Sequence, residues 1–106
     1  MDDAARLRRA QENERILREA NDEIGREARE AERAHEVGRA ETEIEFFCAC
    51  GRSDCEETLL LTLAEYEAAH TAPDRFIITP GHELTEIERV VEEHDTYFVV
   101  EKLAAV

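Results

Sequence analysis

Glu43-Ile44-Glu45-Phe46-Phe47-Cys48-Ala49-Cys50-Gly51-Arg52-Ser53-Asp54-Cys55 is the stretch on which the fold turns. Its first four residues alternate polar and apolar, the period of a half-buried strand, and run on into Phe47 and Cys48. In an extended chain Cys48 and Cys50 point to the same face, because side chains alternate. Gly51, Ser53 and Asp54 then supply turn chemistry that can bring Cys55 back towards them. Three thiols therefore converge at a strand end. A structural zinc site takes four Cys or His ligands at roughly 2.0–2.3 Å, so a fourth ligand has to come from elsewhere.

C-terminal to the motif, Glu57 to Leu61 reads as a second strand. Thr62 with Glu65 forms a capping-box pattern that opens a short helix to about Ala69, with Leu63 and Tyr66 as core positions. Ala72, Pro73 and Asp74 break that helix, and Arg75 to Thr79 is a third strand, ended by Pro80 and Gly81. Residues 86–101 are ambiguous. Ile87, Val90 and Val91 suit a helix, yet the apolar runs either side of Glu93, His94 and Asp95 suit a hairpin, the preferred reading.

N-terminal to the motif, residues 3–37 lack Pro, are rich in Ala, Arg and Glu, and meet a stop at Gly38, which predicts one long helix. At 1.5 Å per residue it extends about 50 Å, more than a 66-residue domain is expected to cover, so much of it is expected to project or pair. A heptad reading puts Ala10, Leu17, Ile24 and Ala31 at one seam position and Asn13, Ala20, Glu27 and Ala34 at the other. That seam is thin. It motivates a coiled-coil self-association; the alternative is a solvated helix docked only at its Val37 end.

The expected fold class is thus α+β: a long charged helix over residues 1–40, then a small acidic domain over 41–106. The domain is expected to be mainly antiparallel β with one short helix and to be stapled by zinc. So few residues bury a modest core, and small domains often need a metal or cross-link. The charge is uneven: residues 1–40 hold 9 Arg and 11 acidic residues, residues 41–106 only 4 Arg or Lys and 16 acidic residues. That second half should repel phosphate backbones, which argues against direct nucleic-acid binding and favours basic protein partners. No apolar run is long enough for a bilayer span and no secretory signal pattern is visible, so a cytoplasmic location is expected. There thiols stay reduced, and an odd number of closely spaced cysteines favours metal or redox chemistry over a structural disulfide framework.

For the fourth ligand, His82 sits in a Pro-Gly-His turn at a strand end, where a loop can present an imidazole to another loop's cysteines. His70, His94 and Asp54 are rivals. Three other readings of the cysteines stand beside one bound zinc. They could be buried apolar residues beside Phe46 and Phe47. Cys50 or Cys55 could form a reversible disulfide. An iron–sulfur cluster is the remaining one, though it usually takes four cysteines.

The runs F-F-C-A-C-G-R-S-D-C, L-T-L-A-E-Y-E-A-A, F-I-I-T-P-G-H-E, E-R-V-V-E-E-H-D and V-V-E-K resemble a family of small uncharacterised bacterial proteins. The resemblance covers about residues 44–102. That family pairs an Arg/Glu-rich leading helix with a C-x-C-x4-C motif and a P-G-H-E segment. The resemblance implies that Cys48, Cys50, Cys55 and His82 belong to one shared feature, and it supplies no activity. Ala49 departs from the acidic residue expected there. The function expected is a non-enzymatic protein-interaction or regulatory module with a structural zinc. A thiol- or metal-based redox sensor is the alternative and a small metalloenzyme the third reading.

Overall fold

The alternation at Glu43–Phe47 does form a strand, β1, paired antiparallel with β2 (Thr58–Thr62). Ile44 and Phe46 lie opposite Leu61 and Leu59 on the inner face, while Glu43, Glu45, Phe47 and Leu60 face outward. The computed structural model describes residues 3–35, 42–52 and 54–103. Ser53, the Val37–Gly38 helix end and the boundary expected near residue 40 lie outside them.

Thr62 ends β2 and caps α2 (Leu63–Ala69). Its hydroxyl accepts from the Glu65 N–H at 3.1 Å, and its own N–H donates to the Glu65 carboxylate at 2.8 Å, so two otherwise orphaned donors are satisfied. The buried face of α2 is Leu63, Tyr66 and Ala69, with Tyr66 stacked on Phe46 at 4.3 Å.

A second antiparallel sheet has the order β3-β5-β4, from Arg75–Ile78, Phe98–Lys102 and Glu88–Glu93. The ambiguous stretch is therefore a hairpin. Its turn is closed by the His94 N–H donating to Tyr97 O at 2.9 Å, and one extra residue, Val91, bulges between the Val90 and Glu92 pairings. The β-branched residues on both arms suit a pleated surface, which outweighs the helical spacing of Ile87, Val90 and Val91. The core lies between the sheets: Phe46, Leu61, Ile77, Ile78, Val99 and Val100 are fully buried.

The long helix α1 runs over Asp3–His35. Contrary to the expectation that much of it projects, it is held to the rest of the chain from Arg6, paired with Glu86, to Arg29, paired with Glu67. The molecule is 52 Å long and about 24 Å wide, so the helix sets the long axis. Ala10 is buried, and Leu17 and Ile24 pack on the core, so one predicted seam position faces this chain's own sheets. The other side of the stripe is Glu14 and Asn21, both fully buried, rather than Asn13, Ala20 and Glu27.

Polar groups fasten this docking. Asn21 Nδ2 donates to Phe47 O at 2.9 Å and its Oδ1 accepts from the Phe47 N–H at 2.8 Å, pairing the edge of β1. Arg18 donates to the carbonyls of Pro73 and Arg75 at 3.0 and 2.6 Å and lies over the Phe76 ring, tying the helix to the second sheet. Lys102 on β5 ion-pairs with the buried Glu14.

Candidate metal centre

Cys48 and Cys50 follow directly on β1, where the strand's alternation carries both side chains inward; Cys48 is 2 % exposed and Cys50 fully buried. Two backbone hydrogen bonds hold the knuckle: Cys48 N–H to Glu57 O at 3.0 Å and Ala49 N–H to Ile77 O at 2.9 Å. The first folds the Cys55 limb back beside the strand, and the second ties the motif to the other sheet. Past β3 the chain turns at Pro80 and Gly81, where Gly81 has φ +91°, a backbone region costly for any residue with a Cβ. The His82 N–H donates to Thr79 O at 3.0 Å, which closes that turn and presents the imidazole to the cysteines.

One ligand atom from each of Cys48, Cys50, Cys55 and His82 can be chosen so that all four lie within 4.8 Å of one another. His82 Nδ1 is 3.7 Å from Cys48 Sγ and 3.5 Å from Cys55 Sγ. Bonds of about 2.3 Å to sulfur and 2.0–2.1 Å to nitrogen at the tetrahedral angle put sulfur and nitrogen about 3.6 Å apart. The separations match the edges of such a tetrahedron. The donor set, soft thiolates with one imidazole, is the set that selects zinc-like ions over magnesium or calcium.

Each sulfur also receives a backbone N–H: Cys48 from Thr79 at 3.1 Å, Cys50 from Arg52 and Cys55 from Glu57. Such outer donors orient ligating thiolates and stabilise their charge. A hydrogen bond from Cys50, reinforced by Thr79 and His82, pulls Cys48 down to about 4. Cys50 is pushed up by that same hydrogen bond and by burial, and Cys55 is pushed up chiefly by burial. Deprotonation of the thiols pushed up in this way is favoured when a cation supplies the compensating charge.

The residues therefore fit a four-coordinate metal ion. His82 and Cys55 are half-buried at a hollow of about 220 Å³ that Asp54, Glu56, Glu57 and Arg52 also line, three carboxylates to one guanidinium, a balance suited to cation approach.

The rivals to His82 are engaged elsewhere. His70 stacks on Tyr66 at 3.9 Å with Nδ1 2.7 Å from Tyr66 O, and burial lowers its pKa to about 4. His94 stacks on Tyr97 and meets the Glu92 carboxylate at 2.9 Å. Asp54 is exposed at the rim. Sequence reasoning missed the supporting residues Asn21, Glu14 and Lys102; the signal was available in the four-residue step from Ala10 to Glu14 and from Leu17 to Asn21. No family description, curated protein or solved structure matches this chain. None of its helices is long and apolar enough to cross a membrane, among the described residues.

Proposed function

We propose that this chain is a non-enzymatic protein-interaction or regulatory module whose small domain is stapled by one structural zinc ion on Cys48, Cys50, Cys55 and His82. The observation that carries the reading is the closed Cys3His set, with sulfur–nitrogen separations of 3.5 and 3.7 Å. Four protein ligands leave no coordination position for substrate, which favours a structural over a catalytic ion. A redox sensor draws less support, because the thiol with the lowered pKa is buried while the more accessible Cys55 has a raised one.

An ion here would join the two sheets, since the cysteines flank the β1–β2 pair and His82 follows β3. The partner is a protein with a basic surface. Its docking face is the outer side of β1–β2, where Phe47 and Leu60 are 43 % and 53 % exposed beside Glu43 and Glu45, in a chain of net charge −14. Self-association through α1 would have to use the outward side that carries the exposed Ile16, because the Ala10-Leu17-Ile24 stripe is already occupied.

The test is elemental analysis of tag-free protein alongside Cys50→Ser and His82→Ala variants. About one zinc per chain, lost in both variants together with thermal stability, is the expected result. No metal in freshly reduced protein would refute the structural-zinc reading.

A further inference from the structure

The first sheet is edged by β1 and β2, the second by β3 and β4. An edge strand presents unpaired N–H and C=O groups, which natural proteins cover, interrupt or charge. β1 is covered by the Asn21 amide, which takes both backbone groups of Phe47. β3 is covered by Arg18 on Arg75 O, by the Ala49 N–H on Ile77 O, and by Cys48 Sγ, which accepts from the Thr79 N–H. β4 is interrupted by the bulge at Val91 and charged at Glu88, Arg89, Glu92 and Glu93. β2 has none of these devices: Thr58-Leu59-Leu60-Leu61-Thr62 holds no charge and no proline, and its register with β1 is unbroken.

The alternation of an antiparallel ladder, bonded pair then non-bonded pair, tells which backbone groups β2 leaves open. One step beyond β1 and β2 the register sets Cys48 opposite Glu57, and the Cys48 N–H donates to Glu57 O at 3.0 Å, so that pair is bonded. Phe46–Leu59 and Ile44–Leu61 are then bonded as well. Phe47–Thr58, Glu45–Leu60 and Glu43–Thr62 are not, and their N–H and C=O groups point away from the ladder. Two contacts agree with this: Phe47 turns its groups to Asn21, and the Thr62 N–H goes to the Glu65 carboxylate. Thr58 and Leu60 therefore aim both their N–H and both their C=O groups out of the sheet edge. Both residues are exposed, and among the described residues nothing bonds those groups.

We infer that the β2 edge takes an extended basic segment of a partner protein as a third, antiparallel strand centred on Leu60. The inference rests on the basic-partner reading above and specifies how the partner is held, by main-chain bonds to Thr58 and Leu60. Charge selects the occupant. Glu43 and Glu45 stand on the outer face of the β1–β2 pair and Glu56 and Glu57 precede β2; all four are exposed and without an ion pair among the described residues. A second copy of β2 paired about Leu60 would bring these carboxylates of two chains, each of net charge −14, together. Basic side chains opposite Thr58 and Thr62 would share the face of Glu43 and Glu45, and an apolar one opposite Leu60 would cover it.

The test uses the full chain, with its zinc content recorded, and the fluorescein-labelled peptide K-K-T-V-T-K-K, whose valine sits opposite Leu60 in the inferred register. Fluorescence anisotropy at low salt is expected to give a dissociation constant below about 100 μM. In that register the valine N–H points at β2 and the N–H of the threonine after it points to solvent. A methyl on the valine nitrogen is expected to weaken binding about tenfold or more, and a methyl on that threonine nitrogen to change it less than about twofold. Leu60→Pro removes an outward N–H and no ladder bond, so it should weaken the unmodified peptide as the valine methyl does. Should that variant fail to fold by circular dichroism, Leu60→Lys, which keeps the strand and adds a repelling cation at its edge, is expected to give the same loss. Binding that tolerates both methyl groups but is lost in Phe47→Ala would overturn the edge and leave the basic-partner reading standing. Absence of binding by the unmodified peptide would overturn both. A dimer of the parent chain in sedimentation that Leu60→Pro dissociates would give the edge to a second copy and overturn the basic occupant.

Discussion

Asn21 is the residue whose replacement tests the docking of α1 most directly. It is fully buried and bonds both the N–H and the C=O of Phe47, the residue before the first cysteine. Asn21→Leu keeps the volume and removes both bonds. Each such bond contributes about 1 kcal/mol, and a backbone group left without a partner costs about 1–3 kcal/mol. Phe47's backbone groups are partly rather than wholly buried, so the expected loss is roughly 2–4 kcal/mol in all. A chain of this length has a total stability of about 5–15 kcal/mol, so the variant loses a large share.

Thermal melting should show a fall in Tm of roughly 8–16 °C. Because Phe47 adjoins Cys48, competition with a chelator should also show weakened zinc affinity, although Asn21 touches no ligand. A Tm within about 2 °C of the parent would refute the reasoning, since Phe47's groups would then be satisfied as well by water as by Asn21.

Three further outcomes follow from buried charge and from the thiols. Lys102→Met leaves the Glu14 carboxylate buried without its cation and should cost about 3–5 kcal/mol in urea denaturation, whereas Glu14→Leu with Lys102→Met should recover most of that loss. His70 has Nδ1 on Tyr66 O and a buried Nε2 without a partner among the described residues, and burial lowers its pKa from 6.5 to about 4. The unfolded chain therefore takes up a proton that the folded chain refuses, and stability drops as pH falls from about 6.5 to 4, by up to about 3 kcal/mol; His70→Phe should flatten that part of the profile. Zinc binding at pH 7 should release about two protons, from Cys50 and Cys55, read by calorimetry in buffers of different ionisation enthalpy; release of none would exclude thiolate ligation.

The order of elements was legible because each carries a local signal. The Glu43–Phe46 alternation, the Thr62–Glu65 capping box and the Pro80-Gly81 stop depend on no distant contact, and each became the element it foretold. The convergence of the three cysteines was legible for the same reason, since it needs only a strand and a turn. His82 was preferred over His70 and His94 for its Pro-Gly-His turn at a strand end; that this turn lies beside the knuckle follows from the Ala49–Ile77 hydrogen bond, which no spacing encodes. The helix was misread where polar residues are buried. Glu14 and Asn21 look like solvent-facing positions, and only Lys102, 88 residues from Glu14, and the backbone of Phe47, 26 residues from Asn21, make their burial tolerable.

Those same residues explain why a helix of 33 residues stays flat on so small a partner. Its apolar stripe of Ala10, Leu17 and Ile24 offers little area for burial, and area alone would leave docking marginal. Polar bonds reach both sheets instead: Asn21 holds β1, while Arg18 and Glu14 hold the strands of the second sheet through Arg75 O and Lys102. The Cys3His cluster spans the same divide from another position, with cysteines beside the first sheet and His82 beside the second. Helix and ion would thus be two clamps on one seam. Loss of the ion would leave the sheets joined there by the packed core and, among the described residues, the Ala49–Ile77 and Cys48–Thr79 hydrogen bonds, and the helix would lose the fixed knuckle against which Ala10 is seated. Metal occupancy would in this way set how firmly the N-terminal half of α1 is held, through contacts that involve no ligand side chain.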